Sequence, residues 1–161
     1  MSLNGTDVWG PPLWRTMHSL AERLGKQTNT TMVNDEKRAW VNFLKSVDTI
    51  IPCPKCRHHY KTWSHTNKIE NFITCPYGKF REEARKWLWA LHTEINDERK
   101  VMGVLYSEVE QMYSRRTSTD IHNDNKEFTT VMVRICSFMP FLKQPLHVYQ
   151  ICILKLRLIT G

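Results

Sequence analysis

Two cysteines separated by two residues are the strongest candidates for chemistry in this sequence. Cys53 and Cys56 follow Pro52 and open a segment with the spacing of a helix. Thiols three positions apart at a helix start can close a disulfide with little backbone motion. The unpaired N–H groups of the first turn, the helix dipole and the neighbouring Lys55 and Arg57 favour a thiolate. The pair is therefore predicted to be redox-active through thiol–disulfide exchange.

Other interpretations of this pair remain open. Zinc could be bound by both cysteines together with His58 and His59, or with Cys75, although no second C-x-x-C or H-x-x-H lies at zinc-finger spacing. A thioredoxin-like site would need a strand before the motif, where the pattern indicates a helix. Inert buried thiols fit poorly beside Lys and Arg. A zinc- or nucleic-acid-binding helical module is therefore kept as the alternative function.

Composition and charge narrow the class of protein. A chain of 161 residues fits one domain with a hydrophobic core. It has only six glycines, and no Gly-rich phosphate-binding loop is present. The formal net charge of +7 comes mostly from residues 114–161, which hold seven Lys/Arg against three Asp/Glu. No nucleic-acid recognition motif accompanies this charge, so a solvated or partner-contacting surface is expected instead.

Cysteine usage and hydropathy bear on the compartment. The odd cysteine count, five, and the absence of a basic and apolar secretory start over Met1 to Asp7 favour redox or metal chemistry over structural disulfides. The apolar stretch 131–159 is interrupted by charged residues and prolines, so no clean transmembrane span of about 20 residues is predicted.

The elements that would position the pair are all helices. Apolar residues recur at three- and four-residue spacing, and residues 1–113 lack an alternating strand pattern. A loose lead-in over 1–8 is followed by a helix with Pro11 and Pro12 in its first turn and Gly25 as its stop. After a polar loop from Lys26 to Thr31, a second helix is capped by Asn34 and ended by Pro52. The remaining predicted elements are a short helix over 54–66, a loop over 67–78, a helix over 79–98 and a short helix over 107–115. This pattern predicts a helical bundle.

The C-terminal third is predicted to differ from the rest. Residues 114–130 are polar and are interpreted as a linker, whereas residues 131–160 are rich in Val, Ile and Leu and fit either strand or helix. The predicted division is a domain over 1–113 followed by a basic linker and apolar tail over 114–161.

Three sequence blocks around the cysteine pair resemble the Erv/ALR sulfhydryl oxidases. W-G-P-P-L-W-R-T-M-H-S-L-A at 9–21 is similar to the family's G-x-x-x-W-x-x-L-H-x-x-A helix, and P-C-P-K-C-R-H-H-Y at 52–60 to its P-C-x-x-C-x-x-H-F/Y segment. W-L-W-A-L-H-T-E-I-N at 87–96 is similar to its W-x-x-x-x-H-N-x-V-N helix. Each block alone is weak, but their order and separation also match. The residues within the three blocks are most similar to those of family members from large DNA viruses.

This resemblance implies an all-α fold, a four-helix bundle with a short fifth helix, that binds FAD without a Rossmann fold and is usually a homodimer. It implies an FAD-dependent thiol oxidase that forms disulfides and passes electrons to oxygen, giving hydrogen peroxide. By position, Cys56 would lie against the flavin and Cys53 would exchange with the incoming dithiol. The cofactor-binding positions implied are Gly10, Trp14, His18, His59, Tyr60, His92, Ile95, Asn96 and Lys100, with Tyr106 or Tyr113 as a further possibility.

The implied partners are oxygen and a dithiol protein substrate or small thiol shuttle protein, in the host cytoplasm or the virion. Some family members carry an extra cysteine pair as a shuttle. Cys136 and Cys152 could form one, but each lies in an apolar run and is interpreted as a packed hydrophobic residue. Pro11 and Thr93 depart from the family pattern, and Trp89 stands where many cellular members have a structural cysteine.

Overall fold

The computed structural model of the chain describes residues 5–161. Within these residues the regular structure is entirely helical. The helices are α1 (Thr6–Ala21), α2 (Thr30–Ile50), α3 (Pro54–Thr66), α4 (Asn71–Thr74), α5 (Phe80–Glu98), α6 (Tyr106–Tyr113), α7 (Ser118–Cys136) and α8 (Lys143–Thr160). The predicted all-α fold is confirmed, with α1, α2, α3 and α5 as the long helices of the predicted bundle and α6 as the short fifth helix.

Helix α1 begins earlier than the sequence pattern predicts. Helix α1 starts at Thr6, so Thr6 to Val8 of the expected loose lead-in are helical. Residues 1–4 of that lead-in lie outside the described residues. Pro11 and Pro12 consequently lie inside the helix and not in its first turn. The N–H groups that these prolines lack would have bonded carbonyls of the first turn, so the ladder is interrupted only near its start.

Helix α2 also begins one turn earlier than predicted. Its N-cap is Asn29 and not Asn34, and the Asn29 side chain accepts hydrogen bonds from the N–H groups of Thr31 at 2.8 Å and Met32 at 3.3 Å. Both asparagines suit an N-cap. The earlier one satisfies two free donors of the first turn, so the end of the predicted polar loop is helix.

The prediction of a linker over residues 114–130 is wrong for most of that segment. Helix α7 starts with a capping box, in which the Thr117 hydroxyl accepts from the Asp120 N–H and the Asp120 carboxylate accepts from the Thr117 N–H. The apolar stretch after it is helical too. The solvent side of α7 is polar, so the average composition of the segment is polar although one face of the helix is apolar. This explains why composition suggested a linker. The domain boundary at residue 113 stays a prediction.

The two C-terminal helices share the core of the bundle. Helix α7 packs along α1, and α8 packs along α2. Phe128, Met132 and Tyr149 are fully buried in the same hydrophobic cluster as Trp40 and Leu88. Helices α7 and α8 therefore hold α1 and α2 in place, while α1, α3 and α5 enclose the candidate site. No helix among residues 5–161 is both long and apolar enough to cross a membrane.

Candidate active site

A cleft formed by α1, α3 and α5 collects most of the residues expected in the site. Its volume is about 600 Å³, within the range of pockets that bury small-molecule ligands. The expected residues that line it are Gly10, Trp14, Cys53, Cys56, His59, Tyr60, His92, Ile95 and Asn96. Three helices from distant parts of the chain supply them, so the cleft is complete only when the bundle is folded.

The cysteine pair lies at the N-terminus of α3, in the wall of this cleft. Cys53 is the N-cap residue, and its Sγ accepts a hydrogen bond from the Cys56 N–H at 3.3 Å. Pro54 takes the first helical position, where its missing N–H leaves no bond unmade. Both cysteines are free thiols and half-buried. One helix turn therefore presents both sulfur atoms to one cavity, the arrangement that thiol–disulfide exchange requires.

The thiol of Cys56 is harder to ionise than its sequence position suggests. Burial raises its pKa to about 11, and the adjacent Cys53 sulfur adds to this effect. The positive charge of Arg99 acts in the opposite direction but is outweighed. The Arg57 guanidinium, expected to favour the thiolate, instead donates hydrogen bonds to the Ile51 carbonyl at 3.2 and 3.1 Å. The expectation of a stabilised thiolate is therefore wrong for Cys56 in the ligand-free dithiol.

Aromatic rings in series form another part of the wall. Trp14 and His92 are stacked with their ring centroids 3.9 Å apart and an interplanar angle of 3°. His18 lies behind them, with Nε2 3.4 Å from Nδ1 of His92, and its other neighbour is the stacked ring of Tyr113 at 4.8 Å. Of the two tyrosines considered from the sequence, Tyr113 lines the cleft. His18 is buried and supports the stack without lining the cleft.

Both histidines of this stack are held neutral. Burial lowers the pKa of His18 to about 3, with a smaller contribution from His92. Burial likewise lowers the pKa of His92 to about 4. The buried Nδ1 of His18 has no hydrogen-bond partner among residues 5–161. His92 therefore offers a flat, uncharged ring to the cleft at neutral pH, and the His18 ring behind it is uncharged as well.

We expect these histidines to make the ligand-free protein less stable in mild acid. A histidine with an ordinary pKa in the unfolded chain and a lowered one in the folded state takes up its proton only on unfolding. Stability is therefore lost as the pH falls below about 6.5, by up to about 1.4 kcal/mol per pH unit for each group. The measurement is the free energy of unfolding in urea between about pH 6.5 and 4.5, above most carboxyl titration.

The His18→Gln/His92→Gln variant should show a smaller pH slope than the wild type over this interval. His58 and His65 are exposed on α3, so the His58→Gln/His65→Gln variant is the matched control and should keep the wild-type slope. Equal slopes in the wild type and the His18/His92 variant would show that the buried rings do not carry the effect.

Charged side chains line the cleft beside the cysteines. His59 Nδ1 lies 2.5 Å from one oxygen of Glu98, and His59 Nε2 lies 4.0 Å from Glu94. The other Glu98 oxygen is 3.8 Å from the Lys55 ammonium. These contacts tie the end of α5 to the first turns of α3, and thereby fix the two helices on either side of the thiols.

The family resemblance implies Lys100 as a cofactor-binding residue, but Lys100 does not line the cleft. Helix α5 ends at Glu98, and Lys100 adopts a left-handed conformation with φ of 56°. The helical spacing that relates Ile95 to the cleft therefore no longer applies at Lys100. Near the end of α5 the cation in the lining is Arg99, four positions after Ile95; Arg15 and Lys55 line other parts of the cleft. That spacing is the signal in the sequence that points to Arg99.

Glu98, three positions after Ile95, shares this helical spacing and also lines the cleft. Trp9 and Arg15 lie in the cleft without such a signal, and the Arg15 Nε donates a hydrogen bond to Asp124 of α7 at 2.9 Å. Contacts between residues this far apart follow from tertiary packing and have no local sequence pattern.

The zinc interpretation of the cysteine pair finds no support in the described part of the chain. Among residues 5–161, no three His, Cys, Asp or Glu side chains are grouped so that they could hold a metal ion. His59 is paired with Glu98. Cys75 lies in a separate groove with Trp63 and Trp87.

Comparison with known proteins places this site in a family. The model of the Erv1/Alr family matches residues 11–114, and the chain belongs to this family. An African swine fever virus protein named FAD-linked sulfhydryl oxidase is 28% identical over 121 residues, 74% of this chain and 92% of that protein. No solved structure matches the chain.

Two further relatives come from other large DNA viruses. A frog virus 3 protein is 42% identical over 57 residues, which are 35% of this chain and 37% of that protein. A protein of Acanthamoeba polyphaga mimivirus is 31% identical over 90 residues, 56% of this chain and 57% of that protein. The chain thus aligns with nearly the full length of one relative and with about half or less of the other two.

Proposed function

We propose that this protein is an FAD-dependent thiol oxidase that forms disulfide bonds in a dithiol protein substrate and gives hydrogen peroxide from oxygen. The observation that carries the proposal is the free thiol pair, Cys53 and Cys56, at a helix start in the wall of an aromatic cleft. Family membership and the swine fever virus relative named an FAD-linked sulfhydryl oxidase support the same activity.

The residues of the cleft fit FAD. Trp14 and His92 offer flat, neutral rings for a planar ring system. The buried Nε1 of Trp9, which also lines the cleft, has no hydrogen-bond partner among residues 5–161 and is free to donate to a ligand. Arg99 forms no ion pair within those residues, so its charge is available for a diphosphate. Of the expected cofactor residues, His18 acts by supporting His92.

The cysteines perform the exchange with the substrate. In the oxidised enzyme, a substrate thiolate attacks Sγ of Cys53, breaking the Cys53–Cys56 bond and forming a mixed disulfide. The second substrate thiol then attacks the substrate sulfur of that bond, which releases the oxidised substrate and leaves both enzyme thiols reduced. Bound FAD supplies the acceptor for the two electrons and their route to oxygen. Because burial opposes ionisation of Cys56, a cation such as Arg99 would assist its deprotonation.

The test is a visible absorption spectrum of the purified protein, followed by oxygen uptake with dithiothreitol. We expect a yellow protein with a flavin band at about 450 nm. It should consume oxygen only when the thiol is present and should produce hydrogen peroxide. A colourless protein that remains inactive after incubation with FAD would refute the proposal.

Loss of the Trp14 ring should weaken FAD binding. We expect Trp14→Ala to raise the dissociation constant of FAD by about 10- to 100-fold, because a stacked aromatic surface contributes on the order of 1–3 kcal/mol. Fluorescence titration of the flavin-free protein measures this effect. Trp89→Ala is the control, because Trp89 lies on α5 outside the cleft and contacts Val104 and Tyr106. Unchanged FAD affinity in Trp14→Ala would place the ring system elsewhere.

The remaining expectations extend this proposal. The direct substrate is a separate dithiol protein or small thiol shuttle protein, since a shuttle pair needs two accessible thiols, and Cys136 is buried in the core while Cys152 is half-buried. Unchanged oxidation of a protein substrate after replacement of both by serine is the expected result. The active form is a homodimer, and the site of action is the host cytoplasm or the virion, in keeping with the viral relatives. Light scattering and fractionation of infected cells test these two points.

A further inference from the structure

Helix α8 carries apolar side chains on both of its faces. Leu146, Tyr149, Ile153 and Leu156 are buried against the bundle, whereas Val148, Ile151, Leu154 and Leu158 point away from it. These last four residues, called here the outer face of α8, are 41%, 53%, 57% and 75% exposed. A helix that carries apolar residues on its solvent side as well as on its buried side is normally covered on both. The outer face of α8 therefore has the composition of a contact surface.

The hairpin of α7 and α8 is one of two segments that hold most of the exposed apolar residues within residues 5–161; the other is residues 101–112. Val133, Phe138 and Phe141 are also exposed, at the end of α7 and in the corner before α8. Seven of the 14 large hydrophobic residues exposed within residues 5–161 fall between positions 133 and 158. Isolated exposed apolar residues need no explanation, but a concentration of this kind marks an interaction surface.

The same segment carries charge of one sign only. Residues 128–161 contain no Asp or Glu, and they include Arg134, Lys143, Lys155 and Arg157. Lys143 and Lys155 are exposed on α8, as is His147. A partner that covers the outer face of α8 must therefore supply the negative charge itself.

A second copy of this chain meets that requirement poorly. In a two-fold symmetric contact each surface faces its own copy, so Lys155 and His147 would meet only cationic or neutral residues of α8. A stable interface also takes roughly 800 Å² and 20–30 residues from each partner, far more than the four side chains of the outer face. The proposed homodimer would then use another surface of the molecule.

An anionic lipid surface meets both requirements. Apolar side chains beside cations anchor a helix in the plane of a membrane, where acyl chains cover the former and acidic headgroups neutralise the latter. We propose that the outer face of α8, together with the corner between α7 and α8, docks on an anionic membrane surface. Helix α8 would lie along the membrane surface without crossing it, since no described helix is suited to span a bilayer.

The test is cosedimentation of the full-length protein with lipid vesicles. We expect binding to vesicles that contain phosphatidylserine, weaker binding to phosphatidylcholine alone, and loss of affinity at high salt. Ile151→Ser/Leu158→Ser should reduce the affinity by about tenfold or more, because two apolar side chains no longer enter the lipid. Lys155→Gln should reduce it by about fivefold, the effect of one cation near an acidic surface.

The control replaces two exposed apolar residues elsewhere, Met32→Ser/Ile73→Ser, and should bind like the wild type. Far-UV circular dichroism and cooperative thermal unfolding show that each variant is folded. Equal binding by Ile151→Ser/Leu158→Ser and the wild type would overturn the proposal. The proposal would also be overturned if the wild type did not bind vesicles and formed a dimer that the substitutions Ile151→Ser/Leu158→Ser dissociate. The outer face of α8 would then join two copies of the chain. The thiol oxidase proposal is unaffected by either outcome, since it depends on spectrum and oxygen uptake.

Discussion

Replacement of Cys56 by serine is expected to lower the rate of oxygen uptake with dithiothreitol by more than about a thousandfold, because a hydroxyl can neither form the disulfide nor pass its electrons on. The flavin spectrum should remain, since the aromatic residues that stack in the cleft are untouched. Steady-state oxygen consumption and the visible spectrum of the same preparation measure the two effects separately. Cys53→Ser should lose activity to a similar degree with protein substrates, because Cys53 is the thiol assigned to exchange.

The matched control for these variants is Cys75→Ser. Cys75 is a free, half-buried thiol like the other two, but it lies in a separate groove next to Trp63 and Phe72. Its replacement should leave oxygen uptake close to the wild-type rate. An active Cys56→Ser enzyme, or an inactive Cys75→Ser enzyme with bound flavin, would show that the roles of the cysteines are assigned incorrectly.

Replacement of Phe128 by alanine should have the largest effect on stability. Phe128 of α7 is fully buried and lies edge to face with Tyr149 of α8, with the ring centroids 5.4 Å apart. Removing a buried phenylalanine side chain leaves a cavity and costs about 3–5 kcal/mol. We expect a loss of this size in the free energy of unfolding, measured by urea denaturation followed by circular dichroism.

Phe138→Ala provides the comparison within the same hairpin. Phe138 is 54% exposed, and its removal should change the free energy of unfolding by no more than about 0.5 kcal/mol. The contrast tests whether α7 is part of the core, as opposed to the linker that its composition suggests. If Phe128→Ala and Phe138→Ala unfold at the same urea concentration as the wild type, α7 does not contribute to the stability of the bundle.

Local sequence patterns were sufficient for the helices around the thiols. The sequence pattern predicts the short helix over 54–66 with its observed bounds, and the helix predicted over 79–98 differs from α5 by one residue at its start. Helix formation depends on residues three and four positions apart and on the first few residues, so prolines and apolar spacing report it directly. The same argument failed for the start of α2, because Asn29 and Asn34 are equally suitable caps.

The candidate site could be predicted only as a set of residues. Spacing places Trp14 and His18 on one helix face, and resemblance adds His92, but no local pattern says that His18 lies behind His92 and not in the cleft. The pKa of Cys56 likewise follows from burial by other helices and not from the helix start.

The sequence alone specified which reactive groups this protein carries and most of the helices in residues 1–113, since the C-x-x-C pair, the helical periodicities and the aromatic blocks are local features. Folding determined which side chains meet. Arg99 lines the cleft where α5 ends, and Glu98 pairs with His59. A segment with the composition of a linker forms a core helix that packs against α1. The physical reason is that burial, electrostatic pairing and cavity shape depend on residues far apart in the chain, which periodicity and composition do not relate to each other.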